Sequence, residues 1–143
     1  MKRMKVRILP MLQTEETFVG KTIREIQVDI FMNTFIERGV GKQNGWYWYE
    51  NYGLDANEGD LILFQMENTI IASGIFFMNL PYSKSFIIDV STVKIFKPIT
   101  KEELSIIIPS FKGFNQVKWS YDVREVNMEL LEQRMSVPIE LEK

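Results

Sequence analysis

Gly59-Asp60-Leu61-Ile62-Leu63-Phe64-Gln65-Met66-Glu67-Asn68-Thr69-Ile70-Ile71-Ala72-Ser73-Gly74-Ile75-Phe76-Phe77-Met78 is the stretch on which the fold turns. Two apolar, β-rich runs, 61–66 and 69–78, flank the short polar pair Glu67-Asn68, the signature of a hairpin. Both runs are more continuous than alternating. A strand wetted on one face alternates, whereas an uninterrupted apolar run implies cover on both faces. Gly59 offers a permissive backbone position at the strand start, and Asp60 a polar cap beside it. Gly74 interrupts the second run and predicts a bulge or bend of the kind that closes a small barrel.

Upstream, 6–9 reads as a short strand closed by Pro10, and 11–20 as a loop. Thr22 stands three residues before Glu25, a capping box, and Ile23, Ile26, Ile30, Phe31 and Phe35 follow at near-helical spacing. The pattern predicts a helix over 23–38. Ile26, Val28, Ile30 and Met32 also alternate as a strand would, and length favours the helix. Downstream, 86–96 reads as a long strand broken by Pro98, and Thr100 with Glu103 opens a short helix that Pro109 ends. A short strand around Trp119 covers 116–120, a last helix covers 127–134, and Val137-Pro138-Ile139 returns toward the sheet. About five strands with two or three helices give an α+β class: a small curved mixed β-barrel with peripheral helices.

At 143 residues the chain is one ordinary domain, and 45% apolar with 25% charged residues suits a soluble globular protein. A net charge of -2 argues against a strongly basic nucleic-acid protein while leaving room for a local basic patch. There is no cysteine and no histidine. That excludes disulfides, cysteine-based zinc sites and cysteine nucleophiles, and removes the usual neutral-pH base and the commonest metal ligand. Asp55, Asp60, Glu67 and Asp89 are carboxylates that a metal would need to gather, and no recognised spacing joins them. No catalytic residue, metal or cofactor is therefore expected, and the balance is against an enzyme. The basic start, 1–7, is not followed by a long apolar segment, so neither a secretory signal nor a membrane span is expected and the default location is cytoplasmic.

The densest aromatic run is Trp46-Tyr47-Trp48-Tyr49, with Tyr52 close behind. If extended, it sends Trp46 and Trp48 to one side. Either one pair is core and the other covers its boundary, or the run is a stacking wall for a nucleobase, worth about 1–3 kcal/mol per stacked base. Trp119 offers a further wall, and Asn44, Gln65, Ser73, Asn79 and Asp89 are polar groups for a base edge. Gln65 and Ser73 stand inside apolar strands. A buried polar group must be paired, so these two face solvent or a ligand. Lys42, Lys112, Lys118 and Arg134 are the candidate contacts to a nucleic-acid backbone. For Arg134 a structural role, bridging to carbonyls or a carboxylate, ranks ahead of phosphate contact.

Four segments taken in order carry a family resemblance: Gly59-Asp60-Leu61-Ile62-Leu63-Phe64; the apolar run 70–77; Pro98, Ile99 and Thr100 with Glu103 and Leu104; and Gln133-Arg134-Met135-Ser136-Val137-Pro138. Together they resemble the pseudouridine-synthase-and-archaeosine-transglycosylase (PUA)-like superfamily, in particular its EVE domains, with YTH and ASCH domains as relatives. The resemblance covers about residues 44–140 and leaves 1–43 as an N-terminal extension of a single domain. It implies a PUA-like barrel and a non-catalytic reader that takes a modified base of DNA or RNA into an aromatic pocket. Trp46, Trp48, Tyr52, Gln65, Asn79 and Trp119 would then meet the base, and a nuclease or other effector protein would be an allied partner. The alternatives are a protein-interaction or regulatory domain whose aromatics are core, and, behind it, a small nucleic-acid-processing enzyme.

Overall fold

The computed structural model describes residues 4–10, 22–27, 44–48, 56–79, 85–114 and 119–139. Along them run β1 (Lys5–Pro10), α1 (Ile23–Ile26), β2 (Asn44–Trp48), β3 (Leu61–Met66), β4 (Thr69–Asn79), β5 (Ser85–Thr100), α2 (Lys101–Ile107), β6 (Ser120–Asp122), a 3-10 turn (Val123–Glu125) and α3 (Met128–Met135). The strands form one six-stranded sheet in the order β2-β5-β4-β3-β1-β6. β1 and β3 run parallel, and every other neighbouring pair is antiparallel.

The hairpin read from the sequence is β3–β4, with Met66 opposite Thr69 across Glu67-Asn68. Glu67 takes a φ of 56°, the left-handed region that glycine usually fills. The Gln65 side-chain amide donates to the Glu67 carbonyl, and the Thr69 hydroxyl donates to the Met66 carbonyl at 3.0 Å. At the strand's other end Gly59 has a φ of 93°. Beside it the buried Asp60 carboxylate accepts the backbone N–H of Lys5 at 2.9 Å and of Asn57 at 2.8 Å, tying β1 to the turn that launches β3.

Both faces of β3 are covered, as its continuous apolar run implies: all of its residues are buried. On one face Leu9, Ile62, Phe64, Met66, Ala72, Phe76 and Ile88 pack with Ile26 of α1. On the other, Val6, Ile8, Leu63, Ile70, Phe96 and Ile99 meet Leu104 and Ile107 of α2 and Leu131 and Met135 of α3. The Thr22/Glu25 and Thr100/Glu103 capping boxes both form, so the first turns of α1 and α2 start where local chemistry directs. The rest of the expected 23–38 helix lies outside the described residues.

The expected barrel does not form. β2 and β6 stand at opposite edges of an open sheet and pair with β5 and β1 respectively. The register does shift opposite Gly74, but residues 90–93 of β5, not of β4, supply the extra length. A Cβ on Gly74 would lie 2.7 Å from Ile88 Cγ2, so this glycine permits close packing of β5 rather than a bend that closes the sheet. Nor does Pro98 break β5, which runs on to Thr100. Pro98 falls in a second irregularity, where residues 96–98 lie opposite Ile71 alone, so its missing N–H costs no ladder bond. The neighbouring Lys97 N–H leaves the sheet to donate to the Val137 carbonyl at 2.8 Å, which is how the 137–139 segment returns to the sheet.

Candidate functional site

α3 is set by its cap: the Asn127 side chain accepts the Leu130 N–H at 3.1 Å, and the Asn127 N–H donates to the Ile107 carbonyl at 2.8 Å. Arg134 Nε pairs with the Glu103 carboxylate and fixes α3 against α2. Burial lifts the Glu103 carboxyl, but hydrogen bonds from Arg134 and Thr100, with the guanidinium charge, outweigh it and hold the carboxyl below its ordinary value. Leu131 turns into the core. Met128, Glu132 and Met135, at i, i+4 and i+7, share a stripe that faces the sheet margin.

Between this stripe and the sheet lies a cleft of about 290 Å³. Leu61, Ser73 and Ile75 form its sheet side, with Thr92 and Lys94 from β5 and Met4 from the residue before β1. Ser73 and Lys94 are register partners across β4 and β5, so their side chains rise from the same face of the sheet.

The cleft's polar groups differ in how they are used. Thr92 is occupied: its hydroxyl accepts the Ile75 N–H at 2.8 Å and donates to the Asp89 carbonyl at 2.6 Å, standing in for the ladder interrupted by residues 90–93. Ser73 is not. It is only 1% exposed, yet among the described residues its hydroxyl has no hydrogen-bond partner. Lys94 and Glu132 are exposed at the mouth, and neither belongs to an ion pair among the described residues.

These facts correct the aromatic-pocket reading. Among its described lining residues the cleft carries no aromatic ring, and the described residues hold neither an aromatic cage nor a group of three side chains fit to hold a metal ion. Phe111 and Phe114 stack edge-on at 5.0 Å, but both are buried core. Trp119 is half-buried against that core, and its carbonyl accepts the Ile8 N–H at 2.8 Å. Gln65 turns into its own hairpin, and its Oε1 is buried without a partner among the described residues. The reader of a base in an aromatic cage is therefore withdrawn, together with the barrel that was to carry it. Lys112 is exposed on the α2–β6 connection, and Arg134 takes the structural role ranked first for it. Lys42, Tyr52, Lys118 and the side chains of Trp46, Trp48 and Asn79 lie outside the described residues.

Of the residues around the cleft, sequence reasoning singled out Ser73, as a polar residue in an apolar strand. The helix stripe and Lys94 carried no comparable signal. Among the described residues no helix is long and apolar enough to cross a membrane. No family model matches the chain, and neither a curated protein nor a solved structure shows significant similarity to it.

Proposed function

We propose that this chain is a binding domain whose site is the methionine-walled cleft between α3 and the sheet, and that its ligand is a small, largely apolar molecule. The observation that carries this reading is Ser73, a buried residue on the wall of an apolar cleft whose hydroxyl has no partner among the described residues. A hydroxyl on a cleft wall offers a ligand a hydrogen bond, and a ligand that covered it without making one would meet a cost of about 1–3 kcal/mol. A ligand that accepts from or donates to it avoids that cost. Ligand sites are mostly apolar with a few placed polar groups, and this cleft sits at the small end of their usual range, roughly 300–1,000 Å³. Met4, Met128 and Met135 suit the role, since unbranched thioether chains adapt to the shape they enclose. A serine nucleophile is activated by a base bonded to its hydroxyl, and Ser73 has none among the described residues, so the reading is binding rather than acyl transfer.

The test is ligand-observed NMR with a panel of small aliphatic and thioether compounds, on wild type and on Met128→Trp, whose indole fills the cleft. Binding to wild type that Met128→Trp abolishes at an unchanged melting temperature supports the cleft. Failure of every compound to bind wild type, or equal binding to a folded Met128→Trp, refutes it.

A further inference from the structure

We infer that the cleft takes a small zwitterion with an apolar body, of which an apolar α-amino acid is the simplest form; this rests on the cleft being the binding site. Lys94 and Glu132 bring opposite charges to the mouth of one apolar cavity from different elements, β5 and α3. They are not paired with each other or with another described residue. The contrast is with Glu103 and Arg134, which bridge α2 and α3 directly. A ligand carrying a single charge would meet an attractive group and a repulsive one at the same mouth. A ligand carrying both charges satisfies both.

The placement of the polar groups gives the orientation. Ser73 is the register partner of Lys94, so a carboxylate drawn to the ammonium lies beside the Ser73 hydroxyl and accepts from both. Glu132 then receives the ligand ammonium from the helix side. Met128 and Met135, one turn to either side of Glu132, hold the apolar body together with Leu61 and Ile75. Apolar walls on the protein side of the mouth screen these charges less than open water would.

The test is calorimetric titration of leucine and methionine, with 4-methylpentanoate and 3-methylbutylamine as analogues that each lack one charge. The proteins are wild type, Lys94→Met and Glu132→Gln, both substitutions being at exposed side chains. The expected result is that an amino acid binds wild type and that each one-charge analogue binds about tenfold or more weakly, the size of a lost charge-assisted hydrogen bond. Lys94→Met should remove the advantage of a carboxylate, and Glu132→Gln the advantage of an amine. If the analogues match the amino acids, or both variants bind as wild type does, the zwitterion inference fails while the cleft survives. If nothing in the series binds wild type, charged or not, the cleft reading falls with it.

Discussion

The two faces of the sheet treat their buried polar groups in opposite ways. Under α1, Gln27 is only 2% exposed, and its Nε2 donates to the Ile71 carbonyl at 2.9 Å and to the Phe96 carbonyl at 2.8 Å. Those carbonyls sit where β4 and β5 fall out of register, so one side chain satisfies backbone that the ladder leaves unpaired. On the other face Ser73 is equally buried, and its hydroxyl is unmatched among the described residues. A buried polar group that completes the sheet belongs to the architecture. One that faces a cavity with nothing to bond points to a ligand. The difference lies in use, since both groups can donate and accept hydrogen bonds and both residues are buried.

Breaking the sealed face should give the largest effect. Phe64 is fully buried in the cluster that α1 covers, and Phe64→Ala should cost about 3–5 kcal/mol by lost burial and the cavity left behind. Urea denaturation measures it, and a loss below about 1 kcal/mol would mean that this face is not the stable one. Next comes Gln27→Ala, which strips the donor from two buried carbonyls and should cost about 2–4 kcal/mol. A near-neutral result would show that water reaches the bulge, and the contrast between the faces would dissolve.

The legible features are local ones, and they fall on both faces. The continuous runs around Glu67-Asn68 announced the hairpin and its double cover, and the Thr22/Glu25 and Thr100/Glu103 boxes marked helix starts, because these signals are local. A closed barrel is not decided by Gly74, because a glycine in a strand has the same appearance in sequence whether it bends the chain or clears space for Ile88. Pro98 misled for a related reason: its cost depends on whether the position lacks a ladder partner, which only the β4–β5 register decides. The cleft was harder still. Met128, Glu132 and Met135 read as one more helix face, since a methionine looks the same in a core and in a pocket wall. The juxtaposition of Ser73 with Lys94 follows from the irregularity over residues 90–93, which no sequence period encodes. Ser73 alone stood out, because a serine in an apolar run conflicts with its neighbours whatever the tertiary fold.

The helix layer that borders the cleft should respond to pH. The Glu103 carboxyl lies below its ordinary value in the folded state, so it binds its proton less readily there than in the unfolded chain. Its contribution is therefore complete above the ordinary carboxylate range and is lost as pH falls through the lowered value. The Glu103 side chain is 38% exposed, so solvent screening limits the effect to below about 1 kcal/mol. Glu103→Gln should be slightly less stable than wild type at neutral pH, and the two denaturation curves should converge in acid. A gap that persists in acid would mean that something other than the charge of Glu103 is lost.

The smallest effect on stability, and the sharpest on the comparison, is expected at Ser73. Replacing a partnered buried group removes a bond, whereas Ser73→Ala removes a hydroxyl that has no partner among the described residues. The variant should match wild type in denaturant to within about 0.5 kcal/mol or gain slightly, although its site is as buried as that of Gln27. Affinity should move the other way. A ligand that bonds to the hydroxyl loses that bond in Ser73→Ala while its apolar contacts with Met128 and Met135 remain, so binding should weaken severalfold without being abolished. Stability and affinity thus separate at this one atom, as they would not if the hydroxyl had a structural partner. A loss of about 2 kcal/mol in the unliganded protein would assign the hydroxyl to the architecture alongside Gln27, and would take from the cleft the observation that recommends it.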